Sequence, residues 1–541
     1  MLTRTSLRHR FAGWRVRLRD LWRGETGETY FDIHSPRELG DLLRRHGVAV
    51  PDRPRKPDSV EGFARACLAY QARPDMRAAI PLGLTPRDRG LFLAWMVAHG
   101  TRELGFTAAD AIAAVFSRES DTSRGLADTY RLQPPWQAAV PDALTAAGWP
   151  KLKAWLAAEY GLDSRWFRTA KLPHRSEPLA DVTLLGMFRY TSGLQQAANG
   201  MAAALEAAGV RVTLRDVPGP AIREFPTHPL DALDSAPIAI ANVGLDTSLS
   251  DAYWRAGLHV KPDVYRIANW WWELEDLPAE WLDRGRDVDE IWAPTRFIAD
   301  SLTKLGKPVV PMLPGLELPS FRPLGKPAFG MDPHKFAFVG LFDANSRLGR
   351  KNPFAVVEAF RVAFRPGEAV ELVLKMSPPG AAPGPEILRL REACASAGVK
   401  LIERVFTRDE TLAFVAAGDS LVSLHRSEGF GLPLAEAMLL GKPVIATGYS
   451  GNLDFMTPET SYLVDFTRVP IAADDPPYRK GFVWAEPSVP HAASLMRRVF
   501  DHPEEARAVG ARAKAEVAGK LSLAAAGTRM RSRLEQIRGF R

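Results

Sequence analysis

The sequence predicts an α/β protein: two successive doubly wound units on parallel sheets, preceded by a helical front third. Three observations predict it. From residue 182 onward, short apolar runs of strand length alternate with helical stretches, the pattern of strand–helix–strand crossover units. The alternation breaks once, at the proline-rich "PGLELPSFRP" (314–323), and then resumes, so there are two sets of strands. Before residue 175 the apolar spacing is helical, with Pro and Gly between segments.

In 1–175, "SPRELGDLLRRHG", "SVEGFARACLAY", "PRDRGLFLAWMVAHG", "AADAIAAVF" and "WPKLKAWLAAEYG" read as helices. This region holds no chemistry-bearing cluster and reads as a scaffold or a binding surface for a partner or acceptor. "KLPHRSEPLAD" (171–181) reads as a linker. The first α/β unit, 181–318, opens with the strand "VTLLGM" (182–187), the helix "QQAANGMAAALEAAG" ending at Gly209, and the strand "VRVTL". That is one right-handed crossover. "PIAIANV", "VYRIANWWW", "DEIWAP" and "KPVVPML" continue the sheet. The second unit, 324–500, supplies "FAFVG", "VELVLK", "VKLIE", "SLVSLH" and "KPVIAT". Helix resumes from about Pro490, and 501–541 forms a helical tail with a basic end. Two Rossmann-like domains facing each other across a cleft are the expected result.

Composition bounds the class. A chain of 541 residues is too long for one core, and 46% hydrophobic with 25% charged residues is ordinary for a globular protein. No segment offers the roughly 18 uninterrupted apolar residues of a membrane span, and the start lacks the apolar core of a signal peptide. Cys67 and Cys394 lie far apart without metal-ligand spacing, which points to reduced core thiols in a bacterial-type cytosol. The net charge of +7 is concentrated: residues 1–23 hold seven arginines against Asp20, leaving the remaining 518 residues near neutrality. On a helix, Leu7, Phe11, Trp14, Leu18, Leu21 and Trp22 fall within an arc of about 100° flanked by arginines. Such a helix suits peripheral contact with an anionic membrane surface, or else docks on its own domain. The lack of a basic excess elsewhere argues against nucleic acid.

The chemistry gathers at one corner, "SEGFGLPLAEAM" (427–438), directly after the strand "SLVSLH". In open parallel sheets ligands sit beyond the carboxyl ends of strands. Gly429 and Gly431 permit close backbone approach, and Pro433 suits a helix start. The amides of Phe430, Gly431 and Leu432 would then point outward at the positive end of a helix dipole and attract phosphate. Glu428 before the helix and Glu436 in its first turn would both face the cleft and accept hydrogen bonds from sugar hydroxyls. The alternative is structural: Glu436 complements the dipole and Glu428 is a solvated loop residue.

"EGFGLPLAEAMLLGKPVIAT" resembles the Glu-x7-Glu signature of family 4 retaining glycosyltransferases, which have the GT-B fold. "MFRYTSGLQQAANGMAAALEAAGVRVTL" resembles that family's first strand, loop and helix. "IWAPTRFIADSL" and "VVPMLPGLELPSFRP" are similar to the strand and linker before its second domain, and "FVGLFDANSRLGRKNPFAVVEAF" to its basic phosphate-binding segment. The resemblance covers roughly residues 180–520 and implies roles position by position. Glu436 would bind the donor's ribose, Glu428 the transferred sugar, and Lys351 the donor diphosphate. The family's arginine after "VG" is Leu341 here, so Arg350 or Arg347 would replace it. Lys375 either adds a second positive charge or is an exposed lysine.

The residues themselves support such chemistry. Breaking a sugar–phosphate bond builds negative charge on the departing diphosphate, which fixed cations and amides stabilise. With Arg350 and Lys351 in that role no metal is expected; there is no Asp-x-Asp pair in a glycine-rich loop and no His cluster. Three consecutive tryptophans, Trp270 to Trp272, must point alternately along a strand. Trp272 and Glu273 should therefore reach the cleft and bind acceptor or sugar, unless all three pack between layers. Gly193 brings the first helix's amino end toward the donor sugar, or merely opens that helix. Arg426 is a candidate donor contact, and His425 either joins it or caps the strand.

The expected activity is hexosyl transfer with retention, from a nucleotide-diphosphate sugar to a glycan or lipid-linked acceptor, at the inner face of a bacterial membrane. The rival is a non-catalytic carbohydrate-binding or scaffolding protein on an inactivated transferase fold. A dinucleotide oxidoreductase fits poorly, because no Gly-x-Gly-x-x-Gly follows a strand with an acid about 20 residues on.

Overall fold

The computed structural model describes residues 70, 74–85, 87–88, 92, 122–172, 180–188, 192–217, 236–256, 264–379 and 383–539. The basic stretch 1–23, Cys67 and most of the helices expected before residue 120 lie outside these residues. The chain divides into two compact units, one from 1–198, 211–241 and 248–265, the other from 199–210, 242–247 and 266–541. The contacts of the Glu428 cluster described below all lie within the second.

In the front region, the helices Thr122–Leu132, Pro134–Ala139, Gly148–Tyr160 and Arg165–Thr169 gather around Trp136, Leu152 and Leu156, all fully buried. The helix expected from "WPKLKAWLAAEYG" runs from Gly148 to Tyr160 and ends on Gly161, whose φ of 63° closes it in the left-handed conformation.

The first sheet holds β1 (Val182–Gly186), β2 (Val212–Asp216), β3 (Ile238–Gly244), β4 (Tyr265–Trp271), β5 (Glu290–Ala293) and β6 (Val309–Pro311), in the order β2-β1-β3-β4-β5-β6. The second holds β7 (Phe336–Asp343), β8 (Val370–Ser377), β9 (Lys400–Glu403), β10 (Ser420–Ser423), β11 (Val444–Thr447) and β12 (Tyr462–Val464), in the order β12-β11-β10-β7-β8-β9. Every pairing of the second sheet is parallel. Its strands read as continuous apolar runs because both faces are covered, as β8 shows with seven successive buried residues. Both sheets are of the doubly wound, Rossmann-like kind, as the alternating pattern predicts.

Cys394 is buried in the helix Pro385–Ser396, and burial pushes its thiol up to about 11, as befits an inert core cysteine. The helices Val489–Asp501, Pro503–Lys520 and Leu523–Gly539 account for the tail. Beyond the predicted strands, the structure adds β12 and an antiparallel ribbon, β13 (Phe466–Pro470) with β14 (Val483–Pro487). Among the described residues no helix is long and apolar enough to cross a membrane.

Candidate functional site

The strand order of the second sheet reverses at β7 and β10, which lie side by side and parallel although two strands separate them in the chain. A crevice at such a switch point, outside the carboxyl ends of the strands, is where this architecture places ligands. Leu341 near the end of β7 and Ser423 at the end of β10 line a recess there, with Lys351, Glu428 and Gly431.

The basic segment after β7 is shaped by two residues in the left-handed region. Arg347 (φ 65°) and Asn352 (φ 50°) bracket the single turn Leu348–Lys351. Asn tolerates that conformation; Arg does so at a cost of about 1–3 kcal/mol, the kind of strain that gathers at functional sites. The turn is tied to the exit of β10 by Arg426, whose amide donates to the Arg350 carbonyl (2.8 Å) and whose guanidinium donates to the Gly349 carbonyl (2.6 Å). Arg350 and Lys351 are thereby aimed at Glu428.

Arg350 Nη1 donates to the Ser427 carbonyl (2.9 Å) and to Glu428 Oε2 (3.1 Å), while Lys351 Nζ donates to Glu428 Oε1. Glu428 is 9% exposed. Burial alone would raise its carboxyl, but Lys351 and Arg350 outweigh that and hold it down at about 2. Burial lowers the Lys351 ammonium, with Glu428 opposing the shift. Burial also disfavours charge on Arg350, yet Tyr478, Glu428 and Glu273 around it raise it. Two cations thus meet one carboxylate, and Arg350 Nε is buried without a partner among the described residues. Arg347 takes another course, pairing with Asp475 (3.5 Å) and donating to the Pro476 carbonyl. Of the two arginines weighed for the place of Leu341, only Arg350 joins the Glu428 cluster.

The corner itself follows the predicted geometry in part. Gly431 has φ 89°, which a side chain would strain, and the helix Leu432–Leu439 starts beyond it with Pro433 as its second residue. The amides of Phe430, Gly431 and Leu432 have no partner among the described residues. Gly429 serves the protein's own packing: a Cβ there would lie 2.8 Å from the Trp272 carbonyl. The Phe430 ring is core, 4.9 Å from Phe455.

Several expected placements change. Glu436 is the fifth residue of its helix, outside the first turn; it is 1% exposed and accepts from Arg408 Nη1 at 2.5 Å. Burial raises its carboxyl, and Arg408 opposes that. The structure therefore pairs Glu436 with Arg408 and does not bring it into the Glu428 cluster. Lys375 is not an exposed lysine: it is 6% exposed, donates to Ser377 Oγ and lies 5.1 Å from the Phe406 ring centroid. Arg426 is engaged with Glu486 (2.7 Å) and the Trp484 ring. His425 is fully buried between Ser423 and Asn452, and burial lowers its imidazole, so it stays neutral.

Trp270 and Trp272 are buried and Trp271 half-buried, since both faces of β4 are covered. Trp272 therefore offers no open face to a sugar. It packs edge-on to Trp281 (5.1 Å) and donates to the Asp276 carbonyl (2.9 Å). Glu273 is half-buried and accepts from the Tyr478 hydroxyl (3.2 Å), and its carbonyl accepts from Ser427 Oγ. Gly193 is exposed and opens the helix Gly193–Ala207, with Ser192 Oγ accepting from the Gln195 amide (3.2 Å). Nothing lies within 4 Å of where its Cβ would stand, so an ordinary helix start accounts for it. Arg408 and Tyr478 are the neighbours that sequence reasoning missed. Both sit in unremarked polar stretches, "TRDE" and "DDPPYRKG", with no periodicity to single them out. Among the described residues no three His, Cys, Asp or Glu side chains gather as metal ligands.

Residues 334–473 match the family model "Glycosyl transferases group 1". No curated protein matches the chain. Among solved structures, the chain is similar to a sucrose-phosphate synthase from Thermosynechococcus elongatus, with 15% identity, a TM-score of 0.50, and coverage of 66% of this chain and 99% of that one. It is also similar to HepE from Anabaena in complex with UDP and glucose (12% identity, 66% and 100% covered, TM-score 0.45). A glycosyltransferase from Rickettsia africae gives 12% identity, 66% and 98% coverage and a TM-score of 0.44. The chain thus has two Rossmann-like sheet domains of the GT-B architecture, and the second carries, over residues 334–473, a match to the group 1 glycosyltransferases.

Proposed function

We propose that the chain is a configuration-retaining glycosyltransferase that moves a hexosyl group from a nucleotide-diphosphate sugar to a glycan or lipid-linked acceptor. One observation carries the reading: Lys351 and Arg350 converge on Glu428, and Lys351 and Glu428 line one recess with Gly431 at the switch point of the matched domain. Without ligand, Glu428 is the anion the two cations hold. A diphosphate entering the recess would replace it as their partner and free Glu428 to grip the sugar, while the amides of Phe430, Gly431 and Leu432 face the phosphates.

In the reaction, the bond from the sugar's anomeric carbon to the diphosphate oxygen breaks, and its electron pair stays on that oxygen. The acceptor's hydroxyl oxygen bonds the anomeric carbon on the same face, and its proton passes to the departing oxygen. Lys351 and Arg350 stabilise the charge that develops there, so the reaction needs no metal. Glu436 would reach the ribose only after Arg408 leaves it. Lys375 and Arg426 remain candidate donor contacts, and Glu273 marks the acceptor side. The setting we infer is the cytosolic face of a bacterial membrane, held through residues 1–23, with the product an envelope polysaccharide.

A specific observation favours a second reading. Leu341, half-buried in the recess, puts an apolar group where the family has an arginine, as in a carbohydrate-binding protein that has lost catalysis. Thermal unfolding with uridine, guanosine and adenosine diphosphates separates the readings. One of them should stabilise the folded chain, by about 2.7 kcal/mol at a concentration one hundred times Kd, and Lys351→Ala should abolish the shift. The matching sugar nucleotide should be turned over by the unmodified chain and not by Glu428→Ala. Binding without turnover supports the second reading; no shift with any of the three ends both nucleotide assignments.

A further inference from the structure

The ribbon β13–β14 and its loop, residues 471–482, have no part in the reading above, yet they are built as a rigid arm. Ile471 and Phe482 continue the ladder (2.7 Å), and Asp475 and Tyr478 exchange both backbone hydrogen bonds (3.0 and 2.9 Å). The arm is clamped at its base and along its sides. Ala485 donates to the Arg426 carbonyl (2.9 Å), Arg347 holds Asp475 and the Pro476 carbonyl, Arg468 pairs with Glu275, and Arg479 pairs with Glu280. These contacts bring Tyr478 to a fixed place. The residue is 3% exposed, its ring centroid lies 5.7 Å from that of Trp272, and its hydroxyl donates to Glu273 Oε2 at 3.2 Å. Burial and the carboxylates of Glu273 and Glu428 raise the phenol far above its ordinary value, so it stays protonated and keeps donating.

Glu273 is thus held at both ends. Its carbonyl takes the hydroxyl of Ser427, next to Glu428, and its Oε2 takes that of Tyr478. Oε1 has no partner among the described residues, and the side chain is half-buried, so one oxygen is pinned and the other is open. The Ser427 bond to its carbonyl sets Glu273 next to the Glu428 cluster, and the charge of Glu273 acts on Arg350 together with that of Glu428.

We propose that Tyr478 is a positioning residue: it orients Glu273 so that the open carboxylate oxygen accepts a hydrogen bond that places the attacking group, from a hydroxyl next to the attacking one in a glycan acceptor or from the second hydrogen of an attacking water, which leaves the attacking proton for the departing oxygen. This inference rests on the donor reading. The ring contact with Trp272 needs only an aromatic residue; the hydroxyl has no other acceptor among the described residues.

The test uses the full chain, the nucleoside diphosphate that binds it and that nucleotide's hexose esters, with water as acceptor. Tyr478→Phe keeps the ring and removes the hydroxyl. We expect its diphosphate Kd and donor KM to stay within threefold of the unmodified chain and its kcat for hydrolysis to fall at least tenfold. Glu273→Gln should fall at least as far, and the double variant should be no slower than Glu273→Gln alone, because the hydroxyl acts through the carboxylate. A merely structural role would weaken binding and turnover together and make the two substitutions additive. If nucleotide binds and kcat in Tyr478→Phe equals that of the unmodified chain, the inference fails while the donor reading stands. A chain that binds nucleotide but hydrolyses no hexose ester also counts against it, since Glu273 then orients no water. If no nucleotide binds, the donor reading falls and this inference with it.

Discussion

Glu428 is buried, with Arg350 at 3.1 Å and Lys351 in direct contact, and its carboxyl is depressed from 4.5 to about 2. A carboxylate held below its unfolded value contributes stability that is fully present above about pH 4.5 and is lost as pH falls toward 2. The depression corresponds to about 3 kcal/mol. Glu428→Gln should therefore destabilise the chain at neutral pH by about 3–5 kcal/mol, because it leaves two buried cations without their anion. The gap between variant and unmodified chain should narrow as the pH is lowered from about 5 to 3. Urea unfolding at several pH values measures both, and a gap that stays constant with pH would show that the ion pair is not what depresses this group. Glu436 differs in kind. Its partner among the described residues, Arg408, opposes a carboxyl that burial raises. Arg408→Ala should thus leave Glu436 protonated more readily and cost about 3 kcal/mol of stability. If ribose needs Glu436 released, nucleotide affinity should rise in that variant relative to its lowered stability; an unchanged Kd would place the ribose elsewhere.

At the scale of elements, the turn from β10 into the helix Leu432–Leu439 depends on one glycine. Gly431 sits at φ 89°, and a Cβ there would come 2.8 Å from Leu434 Cδ1. Leu434 is the far end of a side chain and can shift, so most of the penalty is backbone strain. Gly431→Ala should cost about 1–3 kcal/mol in urea unfolding and weaken nucleotide binding by re-aiming the amides around it. Full stability with intact binding would show that the loop adapts. This corner was legible in the sequence because Gly-x-Gly-Leu-Pro after an apolar run fixes backbone conformation locally. The strands of both sheets, β12 apart, were legible for the same reason, their buried runs and punctuation being local signals. The ribbon β13–β14 was not: "FTRVP" and "FVWAEP" are short, and the structure they make depends on clamps from Arg347, Arg426, Glu275 and Glu280. Nor was the partner of Glu436 legible. Arg408 opens a helix whose capping box, Thr407 with Glu410, can be read from the sequence, but which carboxylate that arginine meets is decided by the packing of one helix on another. Lys375 at a strand end could be read either as a second positive charge or as an exposed lysine, and the tertiary position of Phe406 accounts for its burial.

At the scale of the whole chain, the last helix is bound to a strand far from it in sequence through one ion pair. Glu290 of β5 is fully buried, and Arg533 of the helix Leu523–Gly539 grips it with Nε at 3.0 Å and Nη2 at 2.5 Å, while Trp292 Nε1 donates to the same carboxylate at 2.7 Å. A second tie lies close by in the chain, where Arg529 donates to the Leu313 carbonyl (2.9 Å), and Leu316 and Leu521 share a backbone bond of 2.7 Å. Removing the arginine from a buried carboxylate is costly because the charge stays behind, whereas removing both partners is not. Arg533→Ala should thus destabilise the chain by about 3–5 kcal/mol, and Glu290→Gln combined with Arg533→Met should recover most of that loss. Because the pair joins distant segments, the loss should appear first as release of the helix. Limited proteolysis of Arg533→Ala should cut within 523–539 at a urea concentration where the unmodified chain resists, and the double variant should resist again. If Arg533→Ala loses less than about 1 kcal/mol, as an exposed pair would, the helix is held by its apolar face, through Ala526, Met530, Leu534 and Ile537, and the ion pair sets only its register.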